Sequence, residues 1–113
     1  VQRIEPGALN WMTAGRGIVH SERSPDDQRG RARRSHGLQL WAALPLADEE
    51  AEPSFTHTPA AAIPALDVGG AGVRVLIGSA FGVTSPVAVR SPMLYLDVTL
   101  AAADALPLPP ARR

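Results

Sequence analysis

The sequence predicts an all-β protein, and three observations carry that expectation. Eleven prolines and ten glycines in 113 residues interrupt the chain so often that no amphipathic helical period survives beyond a couple of turns. Several short runs instead alternate apolar and polar residues with period two, the repeat of a strand with one buried face. Apolar residues make up 45% of the chain and charged residues 19%, the balance of a globular chain rather than a disordered one.

In chain order, Leu9 to Thr13 and Gly17 to Ser21 read as two strands around the turn Ala14-Gly15-Arg16. Residues 23–36 are polar and poor in apolar side chains, so they read as an exposed loop between strands. In Gly37-Leu38-Gln39-Leu40-Trp41-Ala42-Ala43-Leu44 the even positions share one strand face while Gln39, Trp41 and Ala43 share the other. Residues 45–66 combine an acidic patch (Asp48, Glu49, Glu50, Glu52) with Pro45, Pro53, Pro59 and Pro64. That is the composition of a connector, with a short helical turn at 46–51. Val73 to Gly78 is a further strand, preceded by the turn-forming Gly69-Gly70-Ala71-Gly72. Met93 to Leu100 is the cleanest one, apolar at every even position with Tyr95, Asp97 and Thr99 facing the other way. The division that follows is 1–50, a linker over 51–66, and 67–113.

Composition also excludes function classes. Eleven basic and eleven acidic residues cancel, leaving no global field for nucleic acid or an anionic membrane. Without cysteine there is neither a disulfide nor a thiolate metal site. No apolar run approaches the roughly 20 residues that span a bilayer, and the opening residues form no signal segment, so the expected compartment is cytoplasmic. The cluster Arg29, Arg31, Arg33, Arg34 has the look of a basic patch. It lies beside Asp26 and Asp27 with no interleaved aromatics, which reads as a solvated loop with no direct nucleic-acid binding.

The densest chemical signal is Trp11-Met12-Thr13-Ala14-Gly15-Arg16-Gly17-Ile18-Val19-His20-Ser21-Glu22. On an extended strand His20 and Glu22 project to the same face, at a spacing that lets an imidazole nitrogen and a carboxylate oxygen reach one metal ion. Mixed nitrogen and oxygen ligation suits Fe(II), Mn(II), Ni(II) or Zn(II). Two ligands do not complete a site, and an isolated His-x-Glu is more often a hydrogen-bonded or solvent-facing pair at a strand end. His36 and His57 read as exposed or strand-edge residues, and Trp11 and Trp41 as core or pocket-wall residues. Gly15-Arg16-Gly17 is a tight turn that delivers the strand carrying His20 and Glu22. It is not a dinucleotide fingerprint, because no helix pattern follows it.

The run from Trp11 to Glu22, followed by Gly37-Leu38-Gln39-Leu40-Trp41 and Leu44-Pro45, closely resembles the pirin family of cupins. Glu52-Pro53-Ser54-Phe55, Val73 to Gly78, Gly82 to Val87 and Tyr95 to Val98 continue the resemblance in order across nearly the whole chain. The resemblance implies double-stranded β-helix (cupin, jelly-roll) portions, with the end of one barrel in 1–50 and the start of a second in 67–113. It also implies a mononuclear Fe(II) site on three histidines and one glutamate, of which His20 and Glu22 match the later two. The earlier two belong to a His-Pro-His-Arg-Gly type motif that this sequence does not contain, so the expectation is a partial chain with half a metal site. The implied activity of the whole protein is that of a quercetin 2,3-dioxygenase-type oxygenase acting on a flavonol-like small molecule, with Glu22 also serving as the catalytic proton acceptor. The alternative the resemblance offers is a transcriptional cofactor or regulator that binds a protein partner without turnover.

Overall fold

In the computed structural model, which describes residues 1–32 and 34–108, seven strands and three short 3-10 turns make up the regular structure, with no α-helix among the described residues. The strands are β1 (Leu9–Thr13), β2 (Ser54–Thr58), β3 (Ala65–Val68), β4 (Ala71–Ile77), β5 (Ser79–Ala80), β6 (Val83–Thr84) and β7 (Tyr95–Thr99). All pairings are antiparallel, in three sheets ordered β1-β2, β3-β4-β7 and β5-β6. The all-β expectation holds.

The apolar core belongs to the second half of the chain. Central strand β4 pairs on both edges, and its inward residues Ala71, Val73 and Val75 are buried while Gly72 is exposed, as period two requires. Alternation stops at Leu76. The register with β7 runs Val75↔Leu96 and then Ile77↔Tyr95, so Leu76 is the extra residue of a β-bulge and both Leu76 and Ile77 turn inward. The bulge is closed by Ser85, which is itself buried. Its hydroxyl donates to the Leu76 carbonyl at 2.7 Å and accepts the Val87 N–H at 3.2 Å.

The β3–β4 turn bears out the glycine reading. Gly69 and Gly70, both at positive φ (62° and 91°), form the two-residue link between β3 and β4, the conformation a tight hairpin demands. Asp67 Oδ1 accepts the Gly70 N–H at 3.0 Å. Arg74, on the outer face of β4, bonds Asp97 on β7 at 3.3 Å and donates to the Gly7 carbonyl, tying the start of the chain to the core sheet.

Several expectations need correction. Gly17 to Ser21 and Gly37 to Leu44 are in no ladder, although each carries strand-forming residues. A strand exists only as a hydrogen-bonded pair, and no described segment lies in register beside either. Leu38, Leu40 and Trp41 are 78%, 65% and 93% exposed, so Trp41 belongs to no core, although it borders an open concavity. Conversely, the 45–66 stretch contains the 3-10 turn Leu46–Asp48 and also β2, which pairs with β1 in the register Leu9↔Thr58 to Thr13↔Ser54. The loop over 23–36 has one 3-10 turn, Asp26–Gln28. There Arg29 pairs with Asp26 at 3.1 Å and Asp27 with Arg3 at 3.0 Å. The Asp27 hydrogen bond and charge, with help from Glu5, hold the exposed Arg3 guanidinium above its ordinary pKa. Arg33 lies outside the described residues. The radius of gyration is 16.4 Å, against about 13 Å for a compact chain of this length, so the molecule is open.

Val75 is fully buried. Val75→Ala is expected to lower stability by about 1–3 kcal/mol through lost packing, read as a lower urea midpoint at unchanged slope; an unmoved midpoint would show that β4 is not the core.

Candidate metal centre

The segment bearing His20 and Glu22 leaves the β1-β2 sheet through one turn. After the buried Thr13, Gly17 N–H donates to the Ala14 carbonyl at 2.9 Å and Arg16 N–H donates to the Ala51 carbonyl at 3.1 Å. Gly15 sits between them at φ 51°, and a Cβ there would lie 1.9 Å from the Ala51 oxygen. Only glycine satisfies both the left-handed backbone and that approach. Arg16 then reaches Glu52 at 2.6 Å, on the residue after Ala51. The anchoring is therefore mostly backbone, because an ion pair this exposed contributes little.

Beyond the turn, His20 and Glu22 are exposed and make no hydrogen bond or ion pair with a described residue. Both border a broad open concavity that the N-terminal segment, residues 34–44 and β7 border as well. The β1-β2 sheet lines the same space. Directly opposed residues of an antiparallel pair share a face, so Asn10 with His57 and Met12 with Phe55 lie together on one side, and all four line the concavity. The other face, with Trp11, Thr13, Ser54 and Thr56, meets Ala88 to Arg90 across a cleft of about 200 Å³. There Arg90 is held by Asp48 at 2.6 Å.

His57 is a strand-edge residue, as expected: it lies on β2, one of the two edge strands of the β1-β2 sheet, half-buried, with Nδ1 2.7 Å from Asn10 Oδ1. With the amide oxygen accepting, the proton sits on Nδ1, and Nε2 retains its lone pair. This cavity-lining pair was not legible in the sequence, because Asn10 and His57 become neighbours only through the β1-β2 register. His36 also lines the concavity and is exposed.

No group of three or more His, Asp or Glu side chains among the described residues could enclose a metal ion. The donor chemistry of His20 and Glu22, one nitrogen and one oxygen, is compatible with a first-row divalent cation. Their number is half of a four-ligand set.

Comparison with known proteins shows what the chain is similar to. The family model described as Pirin matches residues 1–42. A pirin-like protein of Caulobacter vibrioides is 47% identical over 94 residues, covering 82% of this chain and 32% of that protein. Human pirin is 40% identical over 98 residues, covering 87% of this chain and 32% of that protein. The chain thus spans about a third of the length of the curated relatives it matches. Among solved structures, a quercetin 2,3-dioxygenase from Acinetobacter baumannii superposes with a TM-score of 0.77 at 38% identity, covering 86% of this chain and 30% of that one.

Gly15→Ala is expected to cost at least about 1–3 kcal/mol from backbone strain alone, while Arg16→Ala costs under about 1 kcal/mol. Thermal unfolding of the two variants checks the order, and equal losses would put the weight on the ion pair instead.

Proposed function

The chain belongs to the pirin family, and from that premise we propose that it contributes part of a mononuclear iron centre in an oxygenase of the quercetin 2,3-dioxygenase type. The observation that supports this reading is the exposed His20-x-Glu22 pair immediately beyond a turn whose backbone admits only glycine, in a chain similar to pirins over most of its length. In the whole protein, residues 1–50 would form the end of a first barrel, 51–66 the connector and 67–113 the start of a second. His20 and Glu22 would supply two of the iron ligands.

Bound Fe(II) would supply the activation of dioxygen. The rest falls to this chain's residues. Met12 and Phe55, opposed on the cavity face of the β1-β2 sheet, offer an apolar wall for a flat ring system and keep water from it. His57 Nε2, its tautomer set by Asn10, is a hydrogen-bond acceptor for a substrate hydroxyl. The Glu22 carboxylate accepts the proton that a flavonol hydroxyl must lose before its ring reacts with oxygen, the role of a general base.

The test uses the whole protein that carries these residues, loaded with Fe(II) and assayed for oxygen consumption with quercetin. His20→Ala is expected to lower retained iron, measured by elemental analysis. Glu22→Gln is expected to lower turnover by about 100-fold or more, the usual scale for losing a general base. Full iron retention in both variants would remove His20 and Glu22 from the centre.

A further inference from the structure

We propose that Arg90 is a positioning residue for the turn that carries His20 and Glu22, acting from the far side of the 51–66 connector through its ion pair with Asp48. The inference rests on the reading of His20 and Glu22 as iron ligands. Every contact it uses is made within this chain. Arg90 Nη1 lies 2.6 Å from Asp48 Oδ1, and this one bond ties the segment between β6 and β7 to the 3-10 turn Leu46–Asp48.

Asp48 is gripped at both ends. Its carboxylate meets Arg90, while its backbone carbonyl accepts the Ala51 N–H at 3.0 Å. The Ala51 carbonyl in turn accepts the Arg16 N–H at 3.1 Å, and it is the atom that a Cβ on Gly15 would strike. Moving Asp48 therefore moves the carbonyl against which the turn before His20 is seated. The 3-10 turn buries no residue and carries no side-chain cap, so packing does not fix its orientation. Arg90 supplies what packing does not.

Arg90 can serve as an anchor because the core presents it. At one end of its segment the Ser85 N–H donates to the Gly78 carbonyl at 2.9 Å, the Ser85 hydroxyl closes the Leu76 bulge, and Val87 is buried. At the other end the Met93 carbonyl lies so close to Gly78 that a Cβ there would strike it. The segment is thus pinned on both sides of Arg90 to the same stretch of chain beside the bulge. The ion pair is also sheltered. The Asp48 and Arg90 side chains are 29% and 40% exposed, against 72% and 58% for Glu52 and Arg16, so solvent and salt screen it less. Arg90 borders the cleft on the Trp11 and Thr13 face of β1, the strand that feeds the turn.

The whole protein that carries these residues, stripped of metal, is read by amide hydrogen exchange and then titrated anaerobically with Fe(II). Arg90→Gln is expected to speed exchange of the Arg16 amide by about fivefold, the scale of losing one partly sheltered ion pair, while the amides of β4 keep their rates. Fe(II) binding should weaken by a similar factor, as it does when groups that orient ligands are removed. Arg90→Lys, which keeps the charge, should restore most of both. Asp48→Asn should match Arg90→Gln, and the double variant should lose no more than either single one, because all three remove the same contact. An Arg16 amide indifferent to Arg90→Gln, an acceleration shared by β4, additive losses in the double variant, or faster exchange with Fe(II) bound as tightly as before would each overturn the proposal. His20→Ala separates this failure from that of the ligand reading. Full Fe(II) binding by His20→Ala would sink the ligand assignment itself, whereas its loss there without any effect of Arg90→Gln would sink the positioning role alone.

Discussion

The ladder between β1 and β2 is the contact on which the candidate centre depends. It joins Leu9–Thr13 to Ser54–Thr58, and the entropy of closing so long an intervening loop must be offset by few contacts. The ladder's hydrogen bonds, burial of Thr13 and Thr58 and the Arg16 N–H on the Ala51 carbonyl supply that offset. The same ladder sets which side chains face the concavity and where the chain departs toward His20. Slipping the register by one residue would put Met12 and Phe55 on opposite faces.

Packing is divided unevenly between the two halves. The β3-β4-β7 sheet, with Val73 and Val75 almost free of solvent, holds most of the apolar core, and Arg74 carries its influence to Gly7. Residues 17–44 have no buried side chain among those described. The segment bearing His20 and Glu22 is therefore positioned by backbone geometry at Gly15 rather than by side-chain packing. A site held this way takes its orientation from a turn and gains rigidity only as groups around it are added, the usual requirement for metal ligands.

Exposed apolar strand sequence and exposed ligand chemistry share that physical origin. Both occur where the chain presents groups that its own core does not reach. Leu38, Leu40 and Trp41 seek a surface, while His20 and Glu22 offer lone pairs to a cation. The first need is met by β-pairing and apolar burial, the second by further donors.

From the residues alone, period two and the Pro and Gly spacing determined the all-β class, a glycine turn over 69–72 and strands over 9–13, 73–78 and 93–100, which the structure forms as β1, β4 and β7 with bounds shifted by one or two residues, because these depend on local backbone preference and on one buried face. The motif from Trp11 to Glu22 pointed to the family and to the two candidate ligands. Only the tertiary structure decided that β2 arises inside a proline-rich connector, that Leu76 forms a bulge, that His57 bonds Asn10, and that 17–21 and 37–44 stay unpaired despite their pattern. Strand pairing is a relation between distant segments. A sequence records the preference of each segment, whereas the fold decides which of them finds a partner.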